Sequence, residues 1–111
     1  MKLSAGDVLL ARFPFTDLSG EKRRPVLVLS LADQGEDVIV CAITSRPHDG
    51  PYDVPIVPDE RNGLKVSSWV QFDKIATLSL SVISGRIGAV SPAFMQAHKP
   101  LLLKLFGLNG A

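Results

Sequence analysis

Histidine, cysteine and the large aromatics are scarce in this chain of 111 residues, which has two His, one Cys, one Trp and one Tyr. A single cysteine forbids an intrachain disulfide, and with so few histidines beside it a structural zinc site lacks ligands. Cys41 lies inside the apolar run Val38-Ile39-Val40-Cys41-Ala42-Ile43 and is expected as a buried thiol. No apolar run reaches the ~18 residues of a membrane span, and none of signal-peptide length opens the chain, so a cytoplasmic protein is expected. The formal net charge is only +1, so no global field draws the molecule to nucleic acid and any such contact must come from a local patch. A glycine-rich phosphate loop, a dinucleotide fingerprint and an HExxH zinc motif are all missing, as is a carboxylate pair suited to glycoside hydrolysis. Neither a cofactor nor a metal is expected.

What the chain does have is apolar residues. Hydrophobic content is 46% and mean hydropathy +0.23, too apolar for disorder and enough for one modest core in a single domain spanning residues 1–111. The same surplus suits a buried interface between two copies.

Residues 8–13 read as a first strand, after a Gly6-Asp7 turn and ended by Pro14; a loop follows over 15–21. Residues 25–30 and 38–43 are near-continuous apolar runs, the pattern of strands buried on both faces, joined as a hairpin by a polar turn at 32–36. After a breaker-rich loop at 44–52, residues 53–57 alternate around Pro55 and mark an edge strand or a bulge. Asn62-Gly63 predicts a tight turn within the loop 58–64. A strand covers 66–72, with 73–76 continuing it or bending away. Residues 78–81 suit one helical turn, and 82–90 form a last strand whose Gly85 and Gly88 imply curvature or close backbone packing. Ser91-Pro92 is a helix start, residues 93–106 are helical in composition, and Gly107 is a terminator. Pro100 predicts a kink or a split into two short helices. The result is a small, mostly β domain, either a compact barrel, which removes exposed edges, or a sheet covered by the terminal helix.

The candidate chemistry sits where strands end. Lys22-Arg23-Arg24 puts three positive charges at the start of the second strand. Arg24 is the strongest candidate, because a guanidinium grips phosphate with two parallel donors and Pro25 restrains the adjoining backbone. The plainer reading is a solvated charge cluster; Lys22 and Arg23 suit electrostatic or surface roles. Thr44 follows the last apolar residue of the third strand, and its hydroxyl can donate to a phosphate oxygen, orient a ribose hydroxyl, or simply cap the turn. Ser45 and Arg46 carry the same ambiguity. His48 is the loop imidazole suited to proton transfer, but a paired-histidine mechanism would also require His98, which reads as a surface or packing residue of the helix. Asp73 can bind a base edge, orient an arginine or pair with Lys74. Phe13 and Phe15 flank Pro14, so that one of them is expected to be partly exposed. Trp69 and Tyr52 can stack on a base or serve the core or an interface.

Several of these segments resemble the PemK/MazF family of bacterial toxins. They are Gly6-Asp7-Val8-Leu9, Arg23-Arg24-Pro25-Val26-Leu27-Val28-Leu29-Ser30, Val40-Cys41-Ala42-Ile43-Thr44-Ser45, Val54-Pro55-Ile56, Gly63-Leu64, Ser67-Ser68-Trp69-Val70, Asp73-Lys74-Ile75 with Thr77-Leu78, and Arg86-Ile87-Gly88. Their order and spacing follow the family over nearly the whole chain. The resemblance implies a small SH3-like β-barrel with a C-terminal helix, usually a homodimer. It implies a sequence-specific, metal-independent endoribonuclease toxin of a type II toxin–antitoxin system, cutting single-stranded RNA such as mRNA and so inhibiting translation and growth. The implied partner is an antitoxin with an acidic, partly disordered tail, with promoter DNA bound only by the toxin–antitoxin complex.

By the same resemblance the paired functional residues fall on Arg24 and Thr44. RNA-binding or supporting positions fall on Phe15, Lys22, Arg23, Ser45, Arg46, His48, Gln71 and Asp73. Gln71 stands where an arginine is common, and Ala76 where a basic residue is frequent, which implies weaker RNA binding or a different recognised sequence. The implied reaction is attack of the ribose 2′-hydroxyl on the neighbouring phosphate, leaving 2′,3′-cyclic phosphate and 5′-hydroxyl ends. Two other readings stay open: a non-enzymatic barrel that binds a protein such as a topoisomerase, and an RNA-binding module that does not cut.

Overall fold

The computed structural model describes residues 2–12 and 23–110, so the expectations placed on Phe13, Phe15, Lys22 and the loop at 15–21 lie outside the described residues. Among the described residues six strands form one sheet: β1 (Asp7–Ala11), β2 (Arg24–Ala32), β3 (Asp37–Thr44), β4 (Asp53–Ile56), β5 (Ser68–Ser79) and β6 (Ile83–Ala89), followed by one helix, α1 (Pro92–Leu105). The strand order is β4-β5-β3-β2-β1-β6, and every neighbouring pair is antiparallel. β2 and β3 make the expected hairpin across a short 3-10 turn at Asp33–Gly35, and a second such turn, Leu80–Val82, sits where one helical turn was expected.

The continuous apolar runs have a direct cause. Leu27 of β2 with Cys41 and Ile43 of β3 face one cluster, shared with Val8, Val70 and Phe72. Val26 and Val28 with Val38 and Val40 face a second, shared with Leu3, Leu9, Ala11 and Leu78. Strands buried on both faces have no solvent side and so lose the apolar–polar alternation. Each fully buried large side chain, such as Phe72, Leu9 or Leu27, contributes about 1.5–3 kcal/mol. Phe94, Met95, Leu101 and Leu102 of α1 cover the first cluster.

The mostly β fold with its terminal helix is as expected, but strand pairing does not close it into a barrel. β4 and β6 are the two edges and share no ladder. β4 is only four residues long, and its Pro55 has no N–H to give. The loop after β4 makes the seam with β6 instead, where Ala89 N–H donates to the Arg61 carbonyl over 2.9 Å. Two glycines permit this approach: a Cβ on Gly63, whose φ is +70°, would run into the Ile87 carbonyl, and one on Gly88 into the Arg61 carbonyl. Buried Asn62 shapes the loop, accepting at Oδ1 from Asp59 N–H (3.2 Å) and Leu64 N–H (3.0 Å) and donating from Nδ2 to the Val57 carbonyl (2.9 Å). At the other side of β1, buried Asp7 accepts from Arg86 Nε of β6 over 3.0 Å.

α1 begins as predicted, with Ser91 Oγ accepting from Phe94 N–H over 3.0 Å and Pro92 at the first helical position. It does not split at Pro100 but runs through it. The carbonyl that Pro100 leaves without its usual donor belongs to Gln96, and both residues are exposed, so water can satisfy it. Among the described residues no helix is long and apolar enough to cross a membrane.

Candidate active site at the open ends of two strands

Antiparallel register brings the two leading candidates to the same end of the sheet. β2 and β3 pair through Leu27↔Cys41 and Val26↔Ala42. Arg24, the first residue of β2, and Thr44, the last of β3, each stand two residues beyond that final pair, at the same end of the sheet. Both side chains are half-buried, so each is anchored in the sheet and still reaches solvent.

Beside these ends opens a cleft of about 330 Å³, lined by Leu10, Pro25, Ile43, Leu64 and Ile87 in its apolar part and by Arg23, Arg24, Ser45, Lys65 and Ser68 in its polar part. Three of the predicted residues, Arg23, Arg24 and Ser45, therefore converge on one cavity, while Thr44 lies next to it on β3 and is not among its lining residues. Three cationic side chains with no acidic residue among the described lining make the cleft attractive to a polyanion.

The turn after β3 is organised through one peptide. Thr44 Oγ1 accepts from Arg46 N–H over 3.2 Å, and His48 Nδ1 lies 2.8 Å from the Arg46 carbonyl. A carbonyl only accepts, so Nδ1 carries the hydrogen in this bond, and in the neutral ring Nε2 keeps its lone pair. The capping role foreseen for Thr44 is thus present, and it does not consume the hydroxyl, whose own hydrogen remains to be donated. Ser45, Arg46 and His48 are exposed.

β5 passes the far side of β3 with a break in register. Ala42 pairs with Gln71 and Cys41 with Ile75, so Phe72, Asp73 and Lys74 bulge out between them. Asp73 is exposed on this bulge, whereas Gln71 is buried between β3 and β4, opposite Ala42 and Asp53. Burial pushes the Cys41 thiol well above its ordinary range, and the negative charge of Asp73 adds to the effect, so this cysteine is no nucleophile. His98 packs against Phe72 and Phe94 at centroid distances of 5.8 and 4.4 Å, the packing role expected for it. Trp69 is half-buried in β5, and Tyr52 packs on the first core cluster. Among the described residues no group of three or more His, Cys, Asp or Glu side chains is placed to hold a metal ion.

Sequence reading missed Lys65 and Ser68. The Asn62-Gly63 turn was legible, but its docking onto β6, which carries Lys65 to the cleft, depends on a contact between distant segments that no local pattern encodes.

Comparison with known proteins agrees with this fold. Residues 4–106 match the family of PemK-like, MazF-like toxins of type II toxin-antitoxin systems. The chain belongs to that family. It is similar over 96% of its length to an endoribonuclease solved in complex with its cognate antitoxin from a mycobacterial species, at 24% identity and a TM-score of 0.74, with 97% of that chain covered. The toxin MazF-mt6 of Mycobacterium tuberculosis gives 24% identity and a TM-score of 0.72, covering 92% of this chain and 97% of that one. MazF of Deinococcus radiodurans gives 28% identity and a TM-score of 0.68, with 96% of each chain covered. A search of curated proteins gave no match.

Proposed function

We propose that this toxin is an endoribonuclease that cuts single-stranded RNA by attack of a ribose 2′-hydroxyl on the adjacent phosphate. The observation that carries the reading is that Arg24, the first residue of β2, and Thr44, the last of β3, stand at the same end of the sheet, where Arg24 lines a cationic cleft. The nucleophile belongs to the substrate, so the protein's task is to orient it and to stabilise charge. As the 2′-oxygen bonds to phosphorus and the 5′-oxygen leaves, negative charge grows on the phosphoryl oxygens. The Arg24 guanidinium stabilises that charge, and the Thr44 hydroxyl donates to the phosphate or orients the 2′-hydroxyl. The proton leaving the 2′-hydroxyl passes to solvent or to Nε2 of His48, and the 5′-oxygen takes one up from solvent. The products are a 2′,3′-cyclic phosphate and a 5′-hydroxyl, and DNA, lacking the 2′-hydroxyl, is not cut.

The mycobacterial relative's complex with its antitoxin supports a second part of the reading. A cognate antitoxin with an acidic segment covers the same cationic cleft, and the toxin acts as a homodimer whose target is mRNA. The test is incubation of folded protein with single-stranded RNAs of varied sequence in EDTA, followed by end analysis. Cyclic phosphate ends are the expected result. Intact RNA across all sequences would overturn the proposal in favour of a toxin that binds a protein.

A further inference from the structure

A second cavity, of about 340 Å³, lies outside the cleft at the other side of the β2 start, lined by Arg12, Arg23, Ser81, Val82, Ile83 and Ser84. Its polar lining residues, Arg12, Arg23, Ser81 and Ser84, are all exposed. Arg12 directly follows β1, and its N–H donates to the Val82 carbonyl over 3.3 Å, which fixes its backbone against the turn before β6. That turn is itself held: Ser79 Oγ accepts from Ser81 N–H at 3.2 Å and lies 3.0 Å from Ser81 Oγ. With Ser79 donating along that contact, the Ser81 hydroxyl hydrogen points elsewhere and is available to a ligand. Two guanidiniums therefore share one cavity with two serine hydroxyls, and no acidic side chain is among its described lining residues, in a chain with 11 Asp and Glu. Like charges placed together in this way favour an anion with several acceptor oxygens, which arginine forks and hydroxyls bind directionally.

We infer that this cavity binds a backbone phosphate of the single-stranded RNA, one flanking the phosphate that is cut. The inference rests on the nuclease reading, and its link to that site is Arg23, which lines both cavities. A strand seated with one phosphate at Arg24 carries another at every nucleotide, so Arg23 and Arg12 continue the same positive track. Arg12 is a binding residue on this view and takes no part in bond breaking.

The test uses a fluorescein-labelled 2′-O-methyl oligoribonucleotide of mixed sequence, which cannot be cut because its nucleophile is blocked. Its affinity is measured against salt concentration for the wild type, Arg12→Ala, Arg12→Lys and Lys104→Ala, the last being a charge control in the final turn of α1. One lost phosphate contact lowers the slope of log affinity on log salt by about 0.7. Arg12→Ala is expected to show that drop, Arg12→Lys to keep most of the slope, and Lys104→Ala to keep all of it. On a cleavable RNA, Arg12→Ala is expected to raise KM and leave kcat in place. An unchanged slope in folded Arg12→Ala, or an equal drop in Lys104→Ala, would overturn the subsite even if the wild type cuts RNA. An Arg12-dependent slope in a protein that cuts nothing would keep the subsite and discard the nuclease. A labelled hexaglutamate peptide is the third arm: if Arg12→Ala weakens the peptide alone, the cavity belongs to an acidic protein segment and the RNA assignment falls.

Discussion

Thr44 Oγ1 accepts the Arg46 N–H over 3.2 Å, so the hydroxyl that closes β3 has a fixed oxygen and a free hydrogen. The bond is exposed, and its loss costs only about 1 kcal/mol of stability. Loss of the hydroxyl from the reaction costs far more if it touches the phosphate. Thr44→Ala and Thr44→Val are therefore expected to fold with little change in Tm and to lose roughly 100-fold or more in cleavage rate. Thr44→Ser, which keeps the oxygen, should stay within about tenfold of the wild type. Rates on a cleaved RNA together with a melting curve check this, and a fully active Thr44→Val would remove the hydroxyl from the mechanism.

Arg24 separates charge from geometry. Lysine keeps the positive charge but is a point donor, not a planar fork. Arg24→Ala is expected to lose about 100–1,000-fold in cleavage rate, and Arg24→Lys to recover only part of it. Single-turnover rates at saturating RNA read the effect on the chemical step. Equal rates for Arg24→Lys and the wild type would show that charge alone suffices.

Legibility followed range along the chain. The apolar runs of β2 and β3, the cap at Ser91-Pro92 and the Asn62-Gly63 turn are local patterns, and each was visible in the sequence. That Arg24 and Thr44 stand at one end of the sheet follows from the β2–β3 hairpin, whose strands were legible, whereas their pairing as functional residues came only from the family resemblance. The close packing implied by Gly88 was legible, but the choice between a barrel and a covered sheet was not, because Gly63 and Gly88 meet across the seam from distant loop and strand and nothing near either residue names the other. Arg12 drew no attention because its significance lies in sharing a cavity with Arg23 and Ser81, residues on separate elements. Pro100 does not split the helix, since a rule about helix interiors is weak where the freed carbonyl is open to water.

The seam makes a second kind of prediction. A Cβ at Gly88 meets backbone atoms of Arg61 and Asn62, which cannot move aside as a flexible side chain would. Gly88→Ala is expected to cost about 1–3 kcal/mol, and more if the loop detaches. Gly85, in the same strand, has nothing within 4 Å of a Cβ, so Gly85→Ala should be neutral or stabilising by about 0.5 kcal/mol. Thermal melts of the pair test the seam directly: Gly88→Ala should fall by about 4–8 °C per kcal/mol lost. Because the seam loop carries Lys65 to the cleft, Gly88→Ala should also raise KM for RNA.

Cys41 gives the pH dependence. Its thiol is pushed up from 9.0, first by burial and then by the charge of Asp73. In the unfolded chain the thiol loses its proton near its ordinary value, while in the folded protein it does not. Above that value the native state therefore binds more protons than the unfolded state, and stability falls as pH rises. The contribution is fully present below pH 9.0 and declines above it by up to about 1.4 kcal/mol per pH unit. Cys41→Ala leaves a small cavity and a lower baseline, but it should abolish this part of the alkaline slope. Denaturant midpoints of both proteins between pH 7 and pH 10.5 measure the difference, and parallel curves would contradict it. The same protonation predicts that a thiol reagent at pH 8 labels Cys41 only at the rate at which the protein unfolds. Labelling as fast as that of the denatured chain would mean that the thiol is neither buried nor protonated as the structure places it.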